Sequence, residues 1–405
     1  MTIIETVTGG TVTTPQGFSA GATYAGIKKK GENVLDLGIL YSREPCVVAG
    51  VFTTNKIKSA AVVVNQQRLQ NKGKVSAIIV NSGCANSSTG EQGLADAIET
   101  TEIVAKAIGI EPEEVLVAST GVIGVRLPMK SLRDGVNQVV LSPDGGHDFA
   151  RAIMTTDTAP KEVTVAVKTK DATFTIGGVA KGSGMIHPNL ATMLVFLTTD
   201  AAVAPDFLSQ ALREAANVSF NMISVDGDTS PSDTVLLLAN GIAENKSISS
   251  GSPLAQPFQE ALNQVCIHLA KAIARDGEGA TKLIEVTVKG AINFEEARQA
   301  ARTIVSSNLV KAAVYGNDPN WGRVTAALGR SGIEVNEPKL DVTMAAIPVL
   351  KNGRPLSFDR QTAVTALEQK EVIIVVDLHL GNAEATAWGC DLTEQYVVIN
   401  SAYTT

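Results

Sequence analysis

The 405-residue chain is short of the side chains that most catalytic sites are built from. It has four histidines, His147, His187, His268 and His379, and four cysteines, Cys46, Cys84, Cys266 and Cys390. No cysteine stands in a CxxC or other ligand spacing. Neither a zinc site nor a disulfide framework is therefore expected, and the thiols read as small buried hydrophobes of a reducing compartment. No histidine has a spacing that supports a Ser-His-Asp triad: His187 stands alone, and His268 reads as an ordinary helix residue. No apolar run reaches the roughly 18 residues a membrane span needs. Met1–Glu5 lacks a basic region and an apolar core, so no signal peptide and a cytoplasmic location are expected. The net charge of −7 argues against nucleic acid and anionic membrane as partners and suits small-molecule substrates. There is no phosphate-loop lysine motif, internal repeat or low-complexity linker. No metal, flavin or nucleotide cofactor is expected.

What is present is enough apolar residue, 44%, to build a large core of two or three units. Short β-branched runs at Val34 to Leu40, Cys46 to Thr53, Ala60 to Val64 and Ala77 to Val80 predict strands. Lys28-Lys29-Lys30 reads as a solvated turn. Asn81 to Ser87 suits either an anion-binding nest or a capped helix entry. Leu94 to Ile108 has helical spacing and a stop at Gly109. Val115 to Thr120 predicts a strand broken at Thr120-Gly121, and Val163 to Val167, Phe174 to Ala180 and Met222 to Val225 predict further strands. Pro205 to Asn217 and Pro257 to Ala274 are amphipathic helices. The Asp226 to Asp233 run resembles a calcium loop but lacks its bidentate glutamate, so it reads as a structured loop near the site. Leu283 to Val288 is a strand, and Asn293 with Glu296 caps a helix from Phe294 to Val305. Val372 to Leu378 and Ala385 to Cys390 read as a strand pair, and Tyr396 to Ser401 as a last strand. The pattern is a mixed α/β chain.

The most informative stretch is Lys181-Gly182-Ser183-Gly184-Met185-Ile186-His187-Pro188-Asn189-Leu190-Ala191-Thr192-Met193-Leu194. A glycine loop and a proline turn run into an apolar strand, with Thr192 at the junction and small Ala191 before it. A hydroxyl so held can attack the preceding carbonyl, and hydrolysis of the resulting ester frees an N-terminal threonine. The new α-amine, with a pKa of about 7.7–8.0, can then act as base for the hydroxyl of its own residue. Taken alone, the pattern also suits a plain turn before a core strand, which is the commoner use of such residues.

The whole fourteen-residue stretch resembles the signature of the ornithine acetyltransferase family, and Ser119-Thr120-Gly121-Val122-Ile123-Gly124 resembles a second motif of that family. The resemblance implies a layered α/β fold of the ornithine acetyltransferase/DmpA-like type. It implies a precursor that severs itself between Ala191 and Thr192 into an α chain (1–191) and a β chain (192–405), assembled as an α2β2 heterotetramer. It implies transfer of an acetyl group from N2-acetylornithine to glutamate through an acetyl-Thr192 ester, with Thr120 and Gly121 as oxyanion hole. Thr155, Lys181, Thr192, Glu278, Asn400 and the terminal Thr405 would contact substrate. Acetyl-CoA stays open as a second donor. The alternative is an N-terminal-nucleophile amidohydrolase or aminopeptidase, which would pass the acyl group to water.

Overall fold

A computed structural model describes residues 2–28, 34–70, 74–187 and 193–402. Among them are two sheets, of nine and seven strands. The larger runs in the order Ile3–Thr6, Lys161–Lys168, Thr173–Lys181, Leu194–Thr199, Thr234–Ala239, Leu37–Phe52, Val75–Cys84, Val115–Val122, with Phe18–Thr23 paired to Leu37–Phe52. Leu194–Thr199 and Thr234–Ala239 are parallel and buried at every position. Their unbroken apolar runs are those of strands covered on both faces.

The smaller sheet runs Arg354–Pro355, Ile347–Lys351, Asp341–Met344, Glu371–Asp377, Leu283–Ala291, Ala383–Cys390, Ile223–Ser224. Helix Ala255–Arg275 touches Lys161–Lys168 and Thr173–Lys181 in one sheet and Ala383–Cys390 in the other. Its Phe258, Leu262, Val265, Leu269 and Ile273 lie in one core with side chains of both sheets. Helix Phe294–Val305 packs on Leu283–Ala291 and Ala383–Cys390, and its cap is the expected one, Asn293 Oδ1 accepting from the Glu296 amide at 2.9 Å. The layered α/β architecture matches the expectation from sequence.

Several local readings need correction. Ala60–Gln70 is a helix, not a strand. It covers Val115–Val122, the edge strand of the larger sheet. Asn65 accepts from the Val117 amide at 3.0 Å and donates to its carbonyl at 2.8 Å, and Arg68 donates to the Val115 carbonyl. An open sheet edge demands partners, and this helix supplies them from polar side chains that a β-propensity reading passes over. The two runs at Val34 to Leu40 and Cys46 to Thr53 belong to one long strand, Leu37–Phe52, whose register slips between Tyr41 and Cys46. Its first half pairs with Val75–Cys84 and its second with Thr234–Ala239, a strand the periodicity did not single out. Glu371–Asp377 and Ala383–Cys390 are not partners: Leu283–Ala291 lies between them and pairs with both. Glu394–Ser401 is a helix despite its Val-Val-Ile run. Val397 and Val398 face outward there, so the β-branched residues report no buried strand.

Candidate active site

The ends of several strands and two loops enclose a cavity of about 330 Å³. Thr120, Gly121, Thr155, Lys181, Glu278 and Asn400 all line it. They come from far apart in the chain, and each was a candidate from sequence. Ala191, Thr192 and Thr405 lie outside the described residues. Leu194 stands opposite Lys181 in an antiparallel strand pair.

Thr120 and Gly121 end the Val115–Val122 strand. Gly121 has φ +128°, and a β-carbon there would come within 2.3 Å of the Gly83 carbonyl carbon on the adjacent strand. Only glycine suits that position, so the turn at the end of the strand is fixed by backbone contact and not by a side chain. Lys181 is 2% exposed and donates to Thr155 Oγ1 at 2.9 Å and to Thr120 Oγ1 at 3.4 Å. An ammonium can only donate, so Thr120 accepts from it and keeps its own proton free to give.

Asp157 organises this wall. Its Oδ1 accepts from Lys161 Nζ at 2.6 Å and from the Gly182 amide at 2.7 Å, and its Oδ2 accepts from the Thr155 amide at 3.0 Å. Burial pushes its carboxyl up, but Lys181 and Lys161 outweigh burial and hold it at about 2. Burial lowers Lys181, with Asp157 opposing the shift. Lys161 also reaches Asp276 Oδ2 at 2.6 Å, and the Asp276 carbonyl accepts from Ser183 Oγ at 2.6 Å. The chain of contacts thus passes from Thr155 to the 276–279 loop.

That loop presents Glu278, whose amide donates to the Ser183 carbonyl at 3.1 Å. Glu278 lies directly over Gly184, where a β-carbon would sit 2.3 Å from its carboxyl carbon. Asn400 Nδ2 donates to Glu278 Oε2 at 2.7 Å and to the Tyr396 carbonyl at 3.0 Å. The helical turn corrected above is what brings Asn400 to this carboxylate.

Sequence reading missed some of the site. Ser230, Pro231 and Ser232 form a further wall, from the loop already read as near the site. Asp226 accepts from the Met185 and Ile186 amides, which fixes the 184–186 loop. Asp233 is fully buried and its Oδ1 accepts from the Met193 amide at 3.0 Å. Its Oδ2 has no partner among the described residues, and burial raises its carboxyl well above the usual range. The visible signal was the density of aspartates in Asp226 to Asp233, which is explained by backbone amides needing acceptors. Asp157 stands in a run of hydroxyls and one carboxylate, residues 154–158, that suits either a polar ligand or a cap and turn; its pairing with two lysines is not visible there.

Lys28, read as part of a solvated turn, is instead buried; its ammonium donates to the Leu35 carbonyl at 3.0 Å, and burial pulls its pKa down to about 8. The Asn81 to Ser87 segment continues its strand to Cys84, and Asn86 Nδ2 then holds the Gly93 carbonyl at 2.8 Å. It is a braced helix entry. Among the described residues no cluster of three or more His, Cys, Asp or Glu side chains could hold a metal. All four histidines lie off the cavity lining. All four cysteines are buried free thiols. No helix among the described residues is long and apolar enough to cross a membrane.

Residues 19–405 match the ArgJ family. The arginine biosynthesis bifunctional protein ArgJ of Dehalococcoides mccartyi is 53% identical over 405 residues, covering 99% of both chains. That of Symbiobacterium thermophilum is 54% identical over 404 residues, covering 99% of this chain and all of the other. A crystal structure of the Bacillus halodurans ArgJ protein is 48% identical with a TM-score of 0.50, covering 51% of this chain and 97% of that one. With a family match from residue 19 to the end and full-length relatives at this identity, the chain belongs to the ArgJ family.

Proposed function

We propose that this protein is a self-processing acetyltransferase of arginine biosynthesis that moves the acetyl group of N2-acetylornithine to glutamate. The observation that carries the reading is the convergence of Thr120, Gly121, Thr155, Lys181, Glu278 and Asn400 on one cavity beside the strand that follows residue 192. The Thr192 hydroxyl first attacks the Ala191 carbonyl, and water releases Thr192 as a new N-terminus. Its α-amine, of pKa about 7.7–8.0, is in part unprotonated near neutrality and takes the proton of its own hydroxyl.

In the first transfer, Thr192 Oγ adds to the acetyl carbonyl. Thr120 Oγ1 and the Gly121 amide donate to the developing oxyanion. The C–N bond breaks, ornithine leaves carrying the proton, and an acetyl ester remains on Thr192. The glutamate amine then attacks that ester and leaves as N-acetylglutamate, restoring the hydroxyl. Glu278, held by Asn400, suits the cationic amino group of ornithine. Lys181 and Thr155 suit a substrate carboxylate. Thr405 is a further substrate contact in this reading.

The half-length Bacillus halodurans chain supports cleavage near the middle: it corresponds to 51% of this chain, close to the share either fragment would have. We take the units to be 1–191 and 192–405, joined in a cytoplasmic α2β2 heterotetramer. Acetyl-CoA is a second donor to glutamate in the bifunctional form of the activity. Thr192→Ala tests the whole reading. Denaturing electrophoresis is expected to show one uncut chain, and acetyl transfer from acetylornithine to glutamate is expected to vanish. A cut chain in this variant, or transfer at wild-type rate, would overturn it.

A further inference from the structure

Away from the cavity, helix Phe294–Val305 presents Arg298 and Arg302 to an open groove of about 500 Å³, closed by Arg330, His187 and Gly227. Arg298 and Arg302 are one helical turn apart. Like charges at that spacing destabilise a helix, so their presence calls for a compensating partner. The structure supplies little. Among the described residues Glu295 is the one carboxylate lining the groove, 3.2 Å from Arg298. The Nε of Arg298 is buried and lacks a hydrogen-bond partner among the described residues. Among the described residues Arg330 reaches the Thr303 carbonyl, at 3.5 Å. Burial, with Arg298 beside it, lowers Arg302 to about 10, which still leaves it charged at neutral pH. Among the described lining residues, three guanidiniums thus face one carboxylate.

The groove and the cavity share a wall. Met185 lines the cavity and His187, two residues on, lines the groove. Across from them, Ser230 lines the cavity and Gly227 the groove. Asp226 binds the two segments together through the Met185 and Ile186 amides, and Ser224 Oγ lies 3.1 Å from His187 Nδ1.

We propose that this groove is a binding site for a phosphate-bearing small molecule, held by Arg298, Arg302 and Arg330 behind the wall of the acetyl-transfer cavity. Guanidinium forks match phosphoryl oxygens in pairs, and a phosphate near −2 balances the excess of positive charge better than a single carboxylate would. The volume exceeds that of an isolated phosphate and lies in the range of sites for whole small molecules.

The test is calorimetric titration of the full-length protein at low salt with inorganic pyrophosphate and, separately, coenzyme A. Wild type is expected to bind pyrophosphate, and Arg302→Gln to weaken it by about tenfold or more, the usual worth of a charge-assisted hydrogen bond. Glu295→Gln removes the competing carboxylate and is expected to tighten binding, which a merely misfolded variant would not do. If Arg302→Gln weakens coenzyme A in parallel, the phosphates belong to a ligand of that kind; if it weakens only pyrophosphate, the ligand is a smaller phosphate. Failure of wild type to bind pyrophosphate, or affinities within twofold of wild type in both variants, overturns the proposal. Binding is read without turnover, so failure here leaves the acetyl-transfer reading standing.

Discussion

Asp157 and Asp233 are both fully buried beside the same cavity, and Lys181 acts on both, yet they are satisfied in opposite ways. Asp157 uses both oxygens: two backbone amides and a lysine donate to it, and a second lysine lies 4.0 Å away. Its carboxyl stays ionised down to about pH 2. Asp233 Oδ1 accepts from the Met193 amide, Thr53 and the Ser230 backbone help less, and its Oδ2 has no partner among the described residues. Burial outweighs the Met193 amide, Lys181, Thr53 and Ser230 that oppose it, and its carboxyl is pushed toward the protonated form. The difference teaches that the cavity has a rigid, charge-balanced wall on the Thr155–Lys181 side and an unresolved polar demand on the side where residue 193 enters its strand. Rigid walls position substrate; a buried polar atom without a partner is costly and calls for its own explanation.

The comparison is broken most severely by removing Asp157. Asp157→Ala leaves Lys161 and Lys181 buried with less counter-charge and orphans the Thr155 and Gly182 amides. Breaking a buried ion pair from one side costs about 3–5 kcal/mol, and that loss should appear in urea unfolding. The wild-type acid limb has a defined sign. A carboxyl held below its ordinary value of about 3.9 contributes stability that is present above that pH and is lost as pH falls toward about 2. The variant should lack that limb. A loss under about 1 kcal/mol, the level of a surface pair, would refute the idea of a charge-balanced wall.

Thr120→Val acts on the same wall but on chemistry rather than on folding. The shape is kept and the hydroxyl is lost. Lys181 retains Thr155 as an acceptor. A fall in kcat of about 10²–10³ with an unchanged melting temperature is expected for one lost oxyanion donor. A change of less than tenfold in kcat would remove Thr120 from the oxyanion hole.

How far these walls were legible in sequence follows from where their constraints lie. Thr120, Gly121, Thr155, Lys181, Glu278 and Asn400 were all named through the resemblance to the ornithine acetyltransferase family; local sequence added the strand break at Thr120-Gly121 and the two glycines that frame Glu278, and nothing separate for Thr155, Lys181 or Asn400. The Phe294–Val305 cap and the long amphipathic helices were legible from local pattern. What failed to show were residues whose role is set across the chain. Ala60–Gln70 is a helix because an edge strand 50 residues on needs Asn65 and Arg68. Glu394–Ser401 is a helix because no sheet edge takes it and Asn400 is bound to Glu278 instead. Asp157 and Asp233 look alike in sequence, and only packing makes one a fully paired anion and the other an orphan.

The smallest and sharpest effect belongs to Asp233→Asn, compared in a Thr192→Ala background so that cleavage does not differ between the proteins. The amide keeps an oxygen for the Met193 amide and puts a neutral NH2 where the orphaned oxygen was. A carboxyl raised above its ordinary value contributes stability that is complete below about pH 3.9 and is lost as pH rises through its folded pKa. Wild-type Asp233 therefore weighs against the fold increasingly as pH rises, and asparagine does not. The two melting temperatures should nearly coincide near pH 4, and the asparagine variant should gain on its parent toward pH 8. Parallel curves across that range would mean that Asp233 is ionised and partnered after all, and the contrast with Asp157 would disappear.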